Sequence, residues 1–73
     1  MPAVSDLEYD ILSALQSKLE ALAVYEAYLE DCEVAGASQA RELFEQIRED
    51  DARHAERLRT LLQREWAAEQ SSR

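Results

Sequence analysis

Apolar residues recur at steps of seven along two long segments, and the chain's one glycine lies between them. In the first segment Val4, Ile11, Lys18, Tyr25 and Cys32 form one row. Leu15, Leu22 and Leu29 form its neighbour, and Leu7, Ala14, Ala21 and Tyr28 widen the stripe. In the second segment Ala40, Ile47, His54 and Leu61 form one row and Phe44, Asp51, Leu58 and Glu65 the next, with Leu43 and Leu62 beside them. An α-helix keeps such rows on one face, and a strand does not. The chain therefore reads as all-α, with two helices joined by a short turn.

The ends of the helices carry their own signals. Ser5 is placed to cap the first helix and Glu8 to reach back in a capping box, with Val4 and Tyr9 as the hydrophobic staple. The first helix is expected over residues 5–35. Gly36 suits the left-handed residue that ends a helix. Ser38 is the expected cap of a second helix that runs to about residue 67, with residues 68–73 frayed. So short a connection makes the pair an antiparallel hairpin, one domain over residues 1–73.

One hairpin cannot cover stripes this wide. Each large apolar side chain left in water forfeits roughly 1.5–3 kcal/mol, and 73 residues bury little surface on their own. A homodimeric four-helix bundle, or a higher multiple of it, is the expected solution, and a different helical protein is the alternative partner. The formal net charge of -8 argues against nucleic acid and against anionic membrane surfaces. No apolar run approaches the roughly 20 residues of a membrane span, and the N-terminus lacks a basic-then-apolar leader pattern. A single cysteine, Cys32, cannot form an internal disulfide, so a cytoplasmic location is expected. Charge is divided unevenly: Asp6 to Glu33 holds eight acids and one lysine, and Arg41 to Glu65 holds six arginines and seven acids.

The rows also carry polar residues. Asp51 and His54 lie one turn apart on the apolar face, a spacing that suits metal ligation in a helix bundle. Lys18 occupies the corresponding face of the first helix, and an ammonium has three donors and no acceptor.

The run from Tyr25 through Tyr28 to Gly36, followed by Ala40, Phe44, Asp51, His54-Ala55 and Leu58, resembles the first helical hairpin of rubrerythrin and the wider ferritin-like superfamily. The resemblance covers about residues 15 to 62. It implies a hairpin that dimerises into a four-helix unit, as in encapsulated ferritins, and a core holding two iron or manganese ions. Each half-site there uses a Glu from one helix and a Glu-x-x-His from another. His54 matches the histidine, and Asp51 matches the glutamate with one methylene fewer. Lys18 stands at the first-helix glutamate. Glu20 and Glu26 are the other carboxylates near enough in sequence to replace it. Glu20 turns about 200° away, and Glu26 lies about 12 Å further along the axis, level with Phe44. Tyr25 would stand beside the metal in a loaded version.

Two readings follow. In one, a Lys18–Asp51–His54 polar layer replaces the metal, and the protein is a ferritin-like assembly or binding module with a degenerate site. A fully buried Lys18–Asp51 pair would make Lys18→Met cost about 3–5 kcal/mol. In the other, Asp51 and His54 from two subunits bind iron or manganese, with zinc as a substitute, and serve metal oxidation, peroxide handling or storage. The sequence offers no nucleophile–base pair, phosphate-cradling loop or cofactor box. The reading therefore leans away from an enzyme; were the chain one, it would be a ferroxidase or peroxidase.

Overall fold

The computed structural model describes residues 5–71, with side chains from 5 to 69. Helix α1 spans Asp6–Ala35 and α2 spans Ser38–Ser71, packed against each other as a hairpin. Ser5 caps α1 in an extended conformation, its hydroxyl accepting from the Glu8 backbone N–H. The carboxylate of Glu8 does not complete the expected box; it accepts a hydrogen bond from Trp66 Nε1 at 3.1 Å. Val4 of the expected staple lies outside the described residues, as do residues 72 and 73. Helix α2 runs past the expected end at about residue 67 to Ser71.

Gly36 has φ 65°, the left-handed conformation that favours glycine. The Gly36 N–H donates to the Glu33 carbonyl at 3.2 Å and the Ala37 N–H to the Cys32 carbonyl at 2.9 Å. This pair of bonds is the Schellman end of a helix. Ser38, expected as a cap, is instead the first residue of α2, and the Ala37 carbonyl accepts from the Arg41 N–H.

The core is a strip between the helices. Ile11 and Leu15 of α1 meet Ala55 and Leu62 of α2, with Leu22 and Leu58 packed against them. Cys32 is buried near the turn. Three polar contacts join the helices away from mid-length: Glu8 with Trp66, Glu26 with Arg48 at 2.6 Å, and Glu33 with Arg41. The molecule measures 57 × 19 × 13 Å between Cα atoms, a slab one helix thick. Leu7, Leu19 and Leu43 are each more than half exposed on its surface. No described helix is long and apolar enough to cross a membrane.

A Cβ added at Gly36 meets nothing within 4 Å, so only backbone strain opposes it. Gly36→Ala should cost about 1–2 kcal/mol, the penalty for a left-handed L-residue. Thermal unfolding followed by circular dichroism measures it, and Gly36→Asn should lose less.

Candidate functional site

Lys18 and Tyr25 are seven residues apart, two turns of α1, and both point at α2. Asp51 lies between them on the facing helix. The Lys18 ammonium donates to Asp51 Oδ1 at 3.0 Å, and the Tyr25 hydroxyl donates to Asp51 Oδ2 at 2.7 Å. Both oxygens of the one buried aspartate are thus engaged from the opposite helix. The Lys18 side chain is 37% exposed and that of Asp51 12%. The ammonium reaches Asp51 while its stem keeps an outlet to water. Tyr25 is buried. Its ring meets Tyr28 edge-on at 5.8 Å between centroids, and Tyr28 in turn leans on Phe44 at 5.4 Å. This aromatic stack holds the Tyr25 hydroxyl in place.

The electrostatics follow from these two bonds. The Tyr25 hydrogen bond, then the Lys18 hydrogen bond and charge, hold the Asp51 carboxyl below its ordinary range against the opposing effect of burial. The same bond from the other side raises the Tyr25 hydroxyl, because its anion would face the Asp51 carboxylate. Asp51 is therefore an ionised acceptor and Tyr25 a neutral donor across the ordinary pH range.

His54, expected in the polar layer of a dimer core, lies on the surface of the single hairpin. It is exposed on the slab, in a shallow groove with Lys18, Arg57, Leu58 and Leu61. It makes none of the hydrogen bonds to Asp51, which come from Lys18 and Tyr25. The physical reason is a rotation of α2: the row of Ala55 and Leu62 turns into the hairpin, and the row of His54 and Leu61 turns out. Glu20 is exposed beside Gln16, whose amide approaches it at 3.4 Å. Glu26 is exposed and paired with Arg48, one turn from Phe44. Lys18, Tyr25 and Asp51 are thus brought together, His54 lies at the edge of the group, and Glu20 and Glu26 are outside it.

The Glu8–Trp66 bond is a second, half-buried polar contact between the helices, and the periodicity gave no sign of it. Glu8 is buried at the open end of the hairpin, opposite the turn. The available signal was composition: a lone tryptophan near a helix end has an N–H that needs an acceptor.

A family model described as Rubrerythrin matches residues 10–72. The match spans most of the chain, so the chain belongs to the rubrerythrin family, and at that level it is a ferritin-like, metal-binding type of protein. No curated protein and no solved structure gives a significant match. The family typically binds iron, and the donor set of this hairpin does not fit that metal. Lys18 and Tyr25 each donate a hydrogen bond to one oxygen of Asp51. Among the described residues no three His, Cys, Asp or Glu side chains converge.

The half-exposed lysine and the second donor change the expected energetics. Lys18→Met should cost about 1 kcal/mol rather than the about 3–5 of a fully buried pair. Ionised Asp51 contributes stability that is present above the unfolded carboxyl value of about 3.9 and is lost as pH falls through its lowered folded value. Tyr25 contributes in the opposite sense, present below about 10 and lost as pH rises through its raised folded value. Asp51→Asn should therefore flatten the acid limb of the stability profile. Carboxyl-carbon NMR should place the Asp51 titration below that of exposed aspartates, and both Tyr25→Phe and Lys18→Met should move it up.

Proposed function

We propose that this rubrerythrin-family hairpin is an assembly or binding module in which a metal-free polar layer occupies the place of the metal site. The observation that carries this reading is the engagement of both Asp51 oxygens by Lys18 and Tyr25. A carboxylate that neutralises an ammonium and accepts from a phenol has exchanged its role as a ligand for that of a clasp between helices. Lys18, Asp51 and Tyr25 tie α1 to α2 at mid-length. Such a layer adds little net stability over apolar packing and instead fixes register.

The partner we propose is a second copy of the chain. One broad side of the slab carries Leu7, Tyr28, Leu43 and Leu61, all more than two-fifths exposed, around the Lys18 and His54 groove. At 57 by 19 Å this side exceeds the about 800 Å² that each partner gives to a standard interface. Two slabs pressed together on it make a four-helix bundle with Lys18, Asp51 and His54 at its centre. The lone buried thiol of Cys32 fits a reducing cytoplasm.

The second reading is a metal protein in which Asp51 and His54 from two subunits hold iron, manganese or zinc. It is favoured by one observation: His54 sits on the same side as the groove, without a hydrogen bond inside the hairpin. It requires Lys18 and Tyr25 to release Asp51. Metal analysis of protein purified without a histidine tag separates the two. Stoichiometric metal that disappears in Asp51→Ala or His54→Ala would overturn the metal-free layer.

Lys18→Glu should restore a carboxylate where the family has one and give ferrous iron a measurable stabilising effect on thermal unfolding, absent in the parent protein. Leu61→Asp should convert the parent dimer to a folded monomer in sedimentation velocity. A parent protein that sediments as a monomer at all concentrations would remove the self-association part of the reading.

A further inference from the structure

We infer that the groove of Lys18, His54, Arg57, Leu58 and Leu61 binds a small organic carboxylate with a short apolar tail. This names a ligand for the binding module proposed above. It rests on the metal-free layer, because Lys18 and His54 must be free to face the anion.

The groove combines an apolar floor, Leu58 and Leu61, with polar groups of one kind. Lys18 and Arg57 are cations, His54 is an imidazole, and among the described residues no acid lines it. Its volume of about 310 Å³ is at the small end of ligand sites, which are mostly apolar with a few convergent polar groups. Lys18 uses one of its three N–H groups on Asp51 and stays 37% exposed. His54 is exposed with no hydrogen bond inside the hairpin. Among the described residues Arg57 takes part in none of the ion pairs, which use Lys18, Arg41, Arg48 and Arg53.

The acids of α2 do not cancel these cations. Asp51 is paired with Lys18, Asp50 with Arg53 and Glu45 with Arg41. Glu42, Glu49 and Glu65 line no part of the groove. The adjoining hollow shares Arg57 and Leu61 and adds Glu56 and Arg64, one charge of each sign. A larger hollow near the turn is the reverse case. It holds Glu26, Glu30, Glu33 and Glu45, and its Arg41 and Arg48 already pair with acids there. That hollow repels an anion.

The shape of the donors selects the head group. A guanidinium fork matches a planar carboxylate with two parallel hydrogen bonds. The net charge of -8 favours a monoanion over a doubly charged phosphate, which the whole chain repels more strongly. The leucine floor selects the tail, since each methylene removed from water adds up to roughly fourfold in affinity. The groove is complete within one hairpin. A second copy pressed on this side would close it into a chamber, where the carboxylate offsets cations that the interface takes out of water.

Hexanoate is the probe. Titrated into labelled protein at fixed ionic strength, it should shift the NMR signals of the His54 imidazole and the Leu58 and Leu61 methyls along a saturating curve. Acetate, a head without a tail, and hexanol, a tail without a charge, should each bind about tenfold more weakly or worse. Arg57→Glu should lose about tenfold in hexanoate affinity. Arg59→Glu makes the same charge change in a different hollow, beside Leu19 and Ala52, and should lose far less. Both arginines are exposed, so both variants should keep the parent helicity. Equal affinities for acetate and hexanoate, or equal losses in the two variants, would overturn the inference. A metal-free parent that binds no hexanoate would overturn it alone. Stoichiometric metal at Asp51 and His54 with no hexanoate binding would overturn the metal-free layer as well. A monomeric parent that binds hexanoate at these residues would support the inference and remove only the second copy.

Discussion

The buried carboxylate of Asp51 meets a cation and a phenol from the facing helix. The Lys18 ammonium supplies the charge at 3.0 Å and the Tyr25 hydroxyl a second donor at 2.7 Å. Much else follows from that arrangement. The two donors lie two turns apart on α1, so Asp51 can satisfy both only at one axial offset and one rotation of the helices. A slip of one heptad would leave it with at most one of them. The apolar strip of Ile11, Leu15, Ala55 and Leu62 would tolerate such a slip, because apolar packing is not directional. The polar contact therefore contributes uniqueness, and the apolar contacts contribute most of the stabilisation.

The same two bonds bear on chemistry. The family's fold brings carboxylates and a histidine inward to hold metal. This chain belongs to that family and sets an ammonium and a phenol against Asp51. Asp51 is held ionised by its donors, which is the charge state a ligand needs, yet both oxygens are occupied. A metal ion at Asp51 would compete with a cation and a phenol already bonded to it. Against that cost stands the imidazole of His54, exposed at the edge of the same group and without a hydrogen bond inside the hairpin.

The fold was largely legible in the sequence because heptad rows and a lone glycine constrain backbone directly. Gly36 ended α1 with the left-handed residue expected of it. The pairing of Lys18 with Asp51 was legible too, since both lie in rows that face each other. The role of Tyr25 was not. Whether a tyrosine two turns from Lys18 reaches the same carboxylate depends on the axial offset of the helices, and a few ångströms separate contact from solvent. The exposure of His54 was hidden for a related reason. The stripe on α2 is wide enough for either edge to turn inward, and the small Ala55 beside Leu62 is what allows close approach on one side. Glu8 looked like a capping residue because local spacing cannot announce a tryptophan 58 positions away. The end of α2 ran beyond Ala67 because the last residues, Ala68 and Glu69 among them, have good helix propensity and nothing in them stops a helix.

The central claim is that an ammonium, not a metal ion, neutralises Asp51. Anomalous diffraction at the iron and zinc edges, from crystals grown with either metal, tests it at the atoms concerned. The account predicts no anomalous peak at Asp51 and the Lys18 nitrogen within hydrogen-bond distance of its carboxylate. A peak at about 2.0–2.2 Å from an Asp51 oxygen, with His54 turned to it and Lys18 swung away, would contradict it.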